Sequence, residues 1–270
     1  MRVLAIAAAG GVGLAMVFAS ARAGAQPRDL RWDPGLDVSI TLVAGAAWIA
    51  TEVFKPQLAP PTCRWCDVGP TDRAVRDRVV WRSTPAAEVA SNVTALLAPL
   101  AAVGLDALAA SHEGSPRGLP VDALLIVEAA ALAADANQLA KLLAGRERPF
   151  VHALPSDRKR DTGNVTDNNL SFFSGHATET FALAAAGGTV ATLRGYRWAP
   201  LVWTVGGAIA AATGYLRMAA DKHWLTDVLV GAIVGAGVGF AVPYVFHRPA
   251  SDSGGGLGQT ASPLSLAFVW

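Results

Sequence analysis

Long uncharged apolar runs alternate along the chain with short polar, proline- and glycine-bearing segments, and the runs are long enough to be helices. The first, from Val38 to Thr51, is followed by Glu52 and Lys55 and stopped by Pro56. Residues 56–85 are rich in Pro, Arg and Asp, and Asp72, Arg73, Arg76, Asp77 and Arg78 read as a solvated loop or short surface helix. Pro85 suits the start of a second helix running from Val89 to Leu105, with a kink expected at Pro99. After a connector over 106–120, residues Val121 to Ala144 predict a third helix, ended by Gly145 and Pro149. A polar loop over 150–173 leads to a helical pair, Ser174 to Leu193 and Trp198 to Leu216, and a sixth helix is expected from about His223 to Phe246. Gly231, Gly235 and Gly239 recur every fourth residue on that last helix, leaving one face bare enough to sit close against a neighbour. Glu128 and Asp135 lie seven apart on the third helix and must face a bundle interior or a wet cavity. The expected fold is all-α, a single six-helix bundle.

Composition moves that bundle toward the membrane. Of the 270 residues 52% are hydrophobic and 16% charged, the mean hydropathy is +0.36, and the formal charge of +1 gives no footprint for nucleic acid. Residues 1–25 carry Arg2, an apolar run from Val3 to Ala19 and small residues at Ala21, Ala23 and Ala25, the layout of a signal peptide cleaved after Ala23 or Ala25. The segments that follow are 26–84 with the first helix and a cysteine-bearing loop, a core over 85–248, and a Gly/Ser-rich tail over 249–270. Cys63 and Cys66 are the only cysteines. In an oxidising compartment they are expected to close a short structural disulfide, since a zinc site would need two further ligands.

Three clusters carry chemistry. Lys141, Arg148 and Pro149 stand at the exit of the third helix; Ser174, Gly175 and His176 stand where the polar loop becomes the fourth; Arg217, His223 and Asp227 bracket the start of the sixth. The helical hairpin between the second and third clusters returns them to the same end, so three cations, two histidines and a carboxylate would face one pocket. Guanidinium groups suit phosphate oxygens, and free amides at a helix N-terminus add to them, with Gly175 allowing close approach. On a helix Asp227 would neighbour His223 and accept one imidazole proton, leaving the other nitrogen as base or nucleophile.

Together the clusters resemble the signature of the type 2 phosphatidic acid phosphatase (PAP2) superfamily, which also holds bacterial acid phosphatases and vanadium haloperoxidases: Lys-x6-Arg-Pro, Pro-Ser-Gly-His and Ser-Arg-x5-His-x3-Asp. The resemblance covers about residues 85–246 and departs at Phe173, where the family usually has proline, and at Leu216, where it has serine. It implies a phosphatase that needs no metal and no cofactor. Lys141, Arg148, Arg217 and the Ser174-Gly175 turn would hold the phosphoryl oxygens, His223 oriented by Asp227 would attack phosphorus, and His176 would protonate the departing alkoxide. The substrate would be a phosphorylated lipid or a small phosphoester, with membrane lipids as surroundings; nothing in the chain sets an oligomeric state. A vanadate-dependent haloperoxidase and a non-catalytic lipid-phosphate-binding envelope protein are the alternatives. Export implies the cell envelope, membrane or periplasm, and the resemblance implies a pocket that faces outward. Six full spans after an exported N-terminus would turn that pocket inward, so an incomplete set of spans, with 38–55 and 121–144 the weakest, or a periplasmic bundle is expected.

Overall fold

The computed structural model describes residues 27–249. The expected signal peptide lies outside the described residues, as does the tail beyond residue 249. Among the described residues the regular elements are helical: α1 (Pro34–Val53), α2 (Lys55–Leu58), α3 (Pro70–Val79), α4 (Thr84–His112), α5 (Leu119–Ala144), α6 (Pro149–His152), α7 (Gly175–Arg194), α8 (Ala199–Ala219) and α9 (Leu225–Ala241), with a π-turn over Val242–Phe246. Six of these are long, and they correspond to the six apolar runs.

Local chemistry sets their ends. Asp33 caps α1 by accepting from the Leu36 amide at 2.8 Å, with Pro34 as its first residue, so the helix begins four residues ahead of the apolar run. Gly145 and Gly195 stop α5 and α7 with φ of 54° and 83°, left-handed conformations that a side chain would disfavour. The second helix does not yield to a connector at residue 106. It continues to His112 because Asp106, which looked like a polar boundary, is buried within the bundle.

The central element is α7, which packs against α4, α5, α8 and α9, while α1 lies outside on α5. Leu125 and Ile126 of α5 meet Leu183, Ala186 and Val190 of α7 in the main core. The bare face of α9 lies directly on α7. A Cβ at Gly235 would fall 2.1 Å from the Thr178 carbonyl oxygen, and one at Gly239 would fall 2.2 Å from that of Ala182. This contact fixes the start of α9 beside the start of α7.

Four helices, α1, α4, α8 and the stretch Leu225–Phe246, are long and apolar enough to cross a membrane. They display Leu42, Ile49, Leu96, Leu100, Ile233 and Phe240 outward, a burden of exposed apolar side chains that suits lipid and not water. The protein is membrane-associated. The expectation that 38–55 is a weak span is corrected, since α1 meets the requirement. The two that fall short are α5, with Asp122, Glu128 and Asp135, and the enclosed α7.

Candidate active site

The exit of α5, the starts of α7 and α9 and the end of α8 meet at one end of the bundle, as the helical hairpin of α7 and α8 requires. A short strand-like contact adds the cysteine loop to this end. Arg64 donates its amide to the Gly145 carbonyl at 2.9 Å and Glu147 donates to that of Trp65 at 3.1 Å. Cys63 and Cys66 are joined in a disulfide in that loop.

Arg148 and Arg217 line a cavity of about 240 Å³, whose other walls include Glu88, Phe150, Asn164, Asp167 and Lys222. Arg148 is anchored by donating its Nε to the Asp167 carbonyl at 2.7 Å and one Nη to that of Lys222 at 3.2 Å. Arg217, also buried, donates to Ser91 Oγ at 3.2 Å, and its Nε has no partner among the described residues. A buried guanidinium with an unused donor beside a cavity is prepared for an anion. Lys141 stands against the first residue of α7: a Cβ on Gly175 would lie 2.9 Å from its Nζ and 2.9 Å from Asn137 Oδ1. A side chain at Gly175 would displace these two side-chain ends, a reason for glycine the sequence did not suggest.

His223 is placed differently from expectation. It precedes α9, whose N-cap is Trp224, so the i,i+4 geometry of a helix does not apply. Its Nδ1 donates to the Ser171 carbonyl at 2.8 Å, while the nearest Asp227 oxygen is 3.8 Å away. A carbonyl only accepts, so this bond fixes the proton on Nδ1 and leaves the Nε2 lone pair free, 3.5 Å from Arg148 Nη1. Asp227 is engaged elsewhere: it accepts from Ser171 Oγ at 2.5 Å, from the Trp224 amide at 2.9 Å, and from Arg146.

Arg146 is the residue that sequence reading passed over. It is fully buried between Asp227 and Asp72, donates to Thr226 Oγ1 at 2.7 Å, and lies 4.1 Å over the Trp65 ring. Asp72, expected to be a solvated surface charge, is 3% exposed and also accepts from the Thr226 amide at 2.9 Å. Arg76, from the same supposed surface set, grips Asp221 at 2.6 and 2.7 Å. Helix α3 therefore buttresses the turn that carries His223. Only a charge pattern opposite another, distant in sequence, distinguishes these residues from surface ones.

Ser174 is fully buried and its hydroxyl caps α7, accepting from the Ala177 amide at 3.4 Å. The amides of Gly175 and His176 have no acceptor among the described residues, and these are the groups at that turn left for an anion. The Nε2 of His176 lies 3.0 Å from Asn92 Oδ1 on α4, a partner with no mark in the sequence. Burial first, then the cations Arg148, Arg217 and Lys141, pushes His223 well below the usual histidine range. The same causes, with Arg217 the leading cation, lower His176 to about 3. Lys141 falls to about 7 through burial and the nearby Arg148. The site thus concentrates positive charge, which a phosphate would offset.

Residues 122–250 match the model of the PAP2 superfamily. Phospholipid phosphatase 2 of Bos taurus and that of Rattus norvegicus are each 32% identical over 127 residues, 40% of this chain and 44% and 46% of theirs, so the chain spans less than half the length of these curated relatives. The crystal structure of the first transmembrane PAP2-type phosphatidylglycerolphosphate phosphatase from Bacillus subtilis aligns with a TM-score of 0.46 at 18% identity, covering 76% of this chain and 93% of that one.

Proposed function

We propose, taking residues 122–250 as a PAP2-superfamily segment, that the protein is a metal-independent phosphatase that hydrolyses phosphomonoesters or diphosphates of membrane lipids through a phosphohistidine. The observation that carries this reading is His223, whose Nδ1 proton is held by the Ser171 carbonyl and whose Nε2 lone pair stands 3.5 Å from Arg148, itself one wall of the cavity. Phosphate entering there meets Arg148, Arg217, Lys141 and the two free amides at the start of α7, all in place before reaction, and these balance the charge of the three equatorial oxygens.

The Nε2 of His223 attacks phosphorus as the bond to the leaving oxygen breaks, and His176 passes its proton to that oxygen. Substrate charge raises His176 from its depressed value, so the proton arrives with the substrate. In the second half, His176 takes a proton from water, whose oxygen attacks phosphorus while the P–N bond breaks, and His223 is restored neutral. The lipid reading draws on the exposed apolar belt and on Trp65, Trp81 and Tyr215, which are exposed on the elements around the pocket end, as amphipathic rings are at a membrane interface.

The test is phosphate release from phosphatidate, phosphatidylglycerol phosphate, a polyprenyl diphosphate and p-nitrophenyl phosphate in detergent micelles, with rapid alkaline quenching to trap an acid-labile phosphoenzyme. Wild type is expected to release phosphate and form the adduct, His223→Ala to do neither, and His176→Ala to retain more activity on the activated aryl ester than on alkyl esters. A phosphoenzyme in His223→Ala would reverse the histidine roles, and halide oxidation on adding vanadate without phosphate release would replace the reading by a haloperoxidase.

A further inference from the structure

A second polar cluster lies away from the phosphate pocket. Asp37 in the first turn of α1, Glu128 of α5 and His247, just after the π-turn, are each 4% exposed, and one potential ligand atom from each lies within 4.8 Å of the other two. Glu128 is thirteen residues before Lys141 on α5, so the cluster is about 20 Å along the helix axis from the candidate active site.

The balance of partners in this cluster is unusual. Asp37 Oδ2 accepts from the Asp33 amide at 2.8 Å, and His247 Nδ1 donates to the Arg31 carbonyl at 3.0 Å while standing 4.0 Å from Asp37 Oδ2. Glu128 Oε2 and His247 Nε2 are buried without a hydrogen-bond partner among the described residues. Among the described residues neither carboxylate has a lysine or arginine within ion-pair distance. Two enclosed carboxylates with no cation between them are costly, and a buried carboxylate oxygen and imidazole nitrogen left without partners add to that cost.

We propose that Asp37, Glu128 and His247 form a binding site for a first-row divalent cation, with zinc the best match. Two carboxylate oxygens and one imidazole nitrogen are ligands zinc accepts, whereas calcium and magnesium favour all-oxygen shells. A bound ion would neutralise both carboxylates and satisfy the orphan atoms. It would also have a mechanical effect, since its ligands come from three separate pieces of chain. Helix α1 packs on the bundle through α5, and the ion would clamp α1 and the segment after α9 to that helix. The role is structural and separate from phosphate chemistry.

The experiment is metal analysis and thermal unfolding of the full-length protein in detergent. After zinc loading and extensive washing, wild type and the exposed-site control Asp157→Asn are expected to retain about one equivalent of zinc, and Glu128→Gln and His247→Gln to lose it. Stripping wild type with a chelator should lower its melting temperature, and adding zinc back should restore it, an arm that needs no variant to fold. Zinc in wild type no greater than in Glu128→Gln, or a melting temperature indifferent to chelator and zinc, would overturn the proposal. So would a Glu128→Gln protein more stable than wild type with no metal in either, since the carboxylates would then be sharing a proton.

Discussion

Replacing Asp227 by Asn separates two accounts of its role. If the carboxylate orients His223 as the acid of a catalytic triad does, the substitution should cost about 10⁴ in kcat with little loss of stability. The geometry argues otherwise, because the His223 proton goes to the Ser171 carbonyl and Asp227 goes to Arg146, Ser171 and the Trp224 amide. Removing one partner of a buried ion pair costs about 3–5 kcal/mol, and the lower end applies here because Arg146 keeps Asp72 at 2.7 Å and Asn still accepts a hydrogen bond. For a domain of this size about 3 kcal/mol lowers the melting temperature by about 6–12 °C. Asp227→Asn should therefore unfold earlier, while kcat of the folded protein stays within about a hundredfold of wild type, against the 10⁴ of a lost triad acid. Arg146→Lys, which disturbs the same pair without touching His223, should reproduce both effects. Circular-dichroism melts and phosphate release at a temperature below both transitions supply the measurements. An unshifted melt together with a collapse of kcat in Asp227→Asn, not shared by Arg146→Lys, would refute the reasoning.

Burial and the nearby Arg148 lower Lys141 to about 7, so it is charged below that value, and anion affinity should be full at acid pH and fall as pH rises through it. Calorimetric titration with sulfate, which does not itself titrate there, should show proton uptake at pH 8 that Lys141→Arg abolishes, while uptake by His176 at pH 5 should survive that substitution. Gly235→Ala should lose about 1–3 kcal/mol or fail to assemble, because its Cβ meets the Thr178 carbonyl, while Gly237→Ala, with nothing within 4 Å, should melt like wild type. A cysteine at Thr162, in the loop between α6 and α7, should react with a membrane-impermeant thiol reagent in intact cells after outer-membrane permeabilisation if the pocket faces outward; labelling only after lysis would place it inside.

Periodic apolar runs, caps and stops are local properties, and from them the six long helices, the hairpin of α7 and α8 and the bare glycine face of α9 follow directly from the sequence. So do the identities of Lys141, Arg148, Arg217, His176 and His223, because a cation or an imidazole at the end of an apolar helix is conspicuous wherever it occurs. What those side chains touch is another matter. Asp72 and Arg76 look like any solvated pair on a short amphipathic helix until α3 is laid against the start of α9, where Arg146 and Asp221 wait for them. The Ser171 carbonyl has no signature at all, since every residue carries one, and only the path of the loop brings it to His223. The meeting of Asp37, Glu128 and His247 is equally hidden, with ligands separated by 91 and 119 residues in the chain. Sequence determines which groups are available and which helices carry them; the packing of small residues decides how close those helices come, and that distance decides which polar groups become each other's partners.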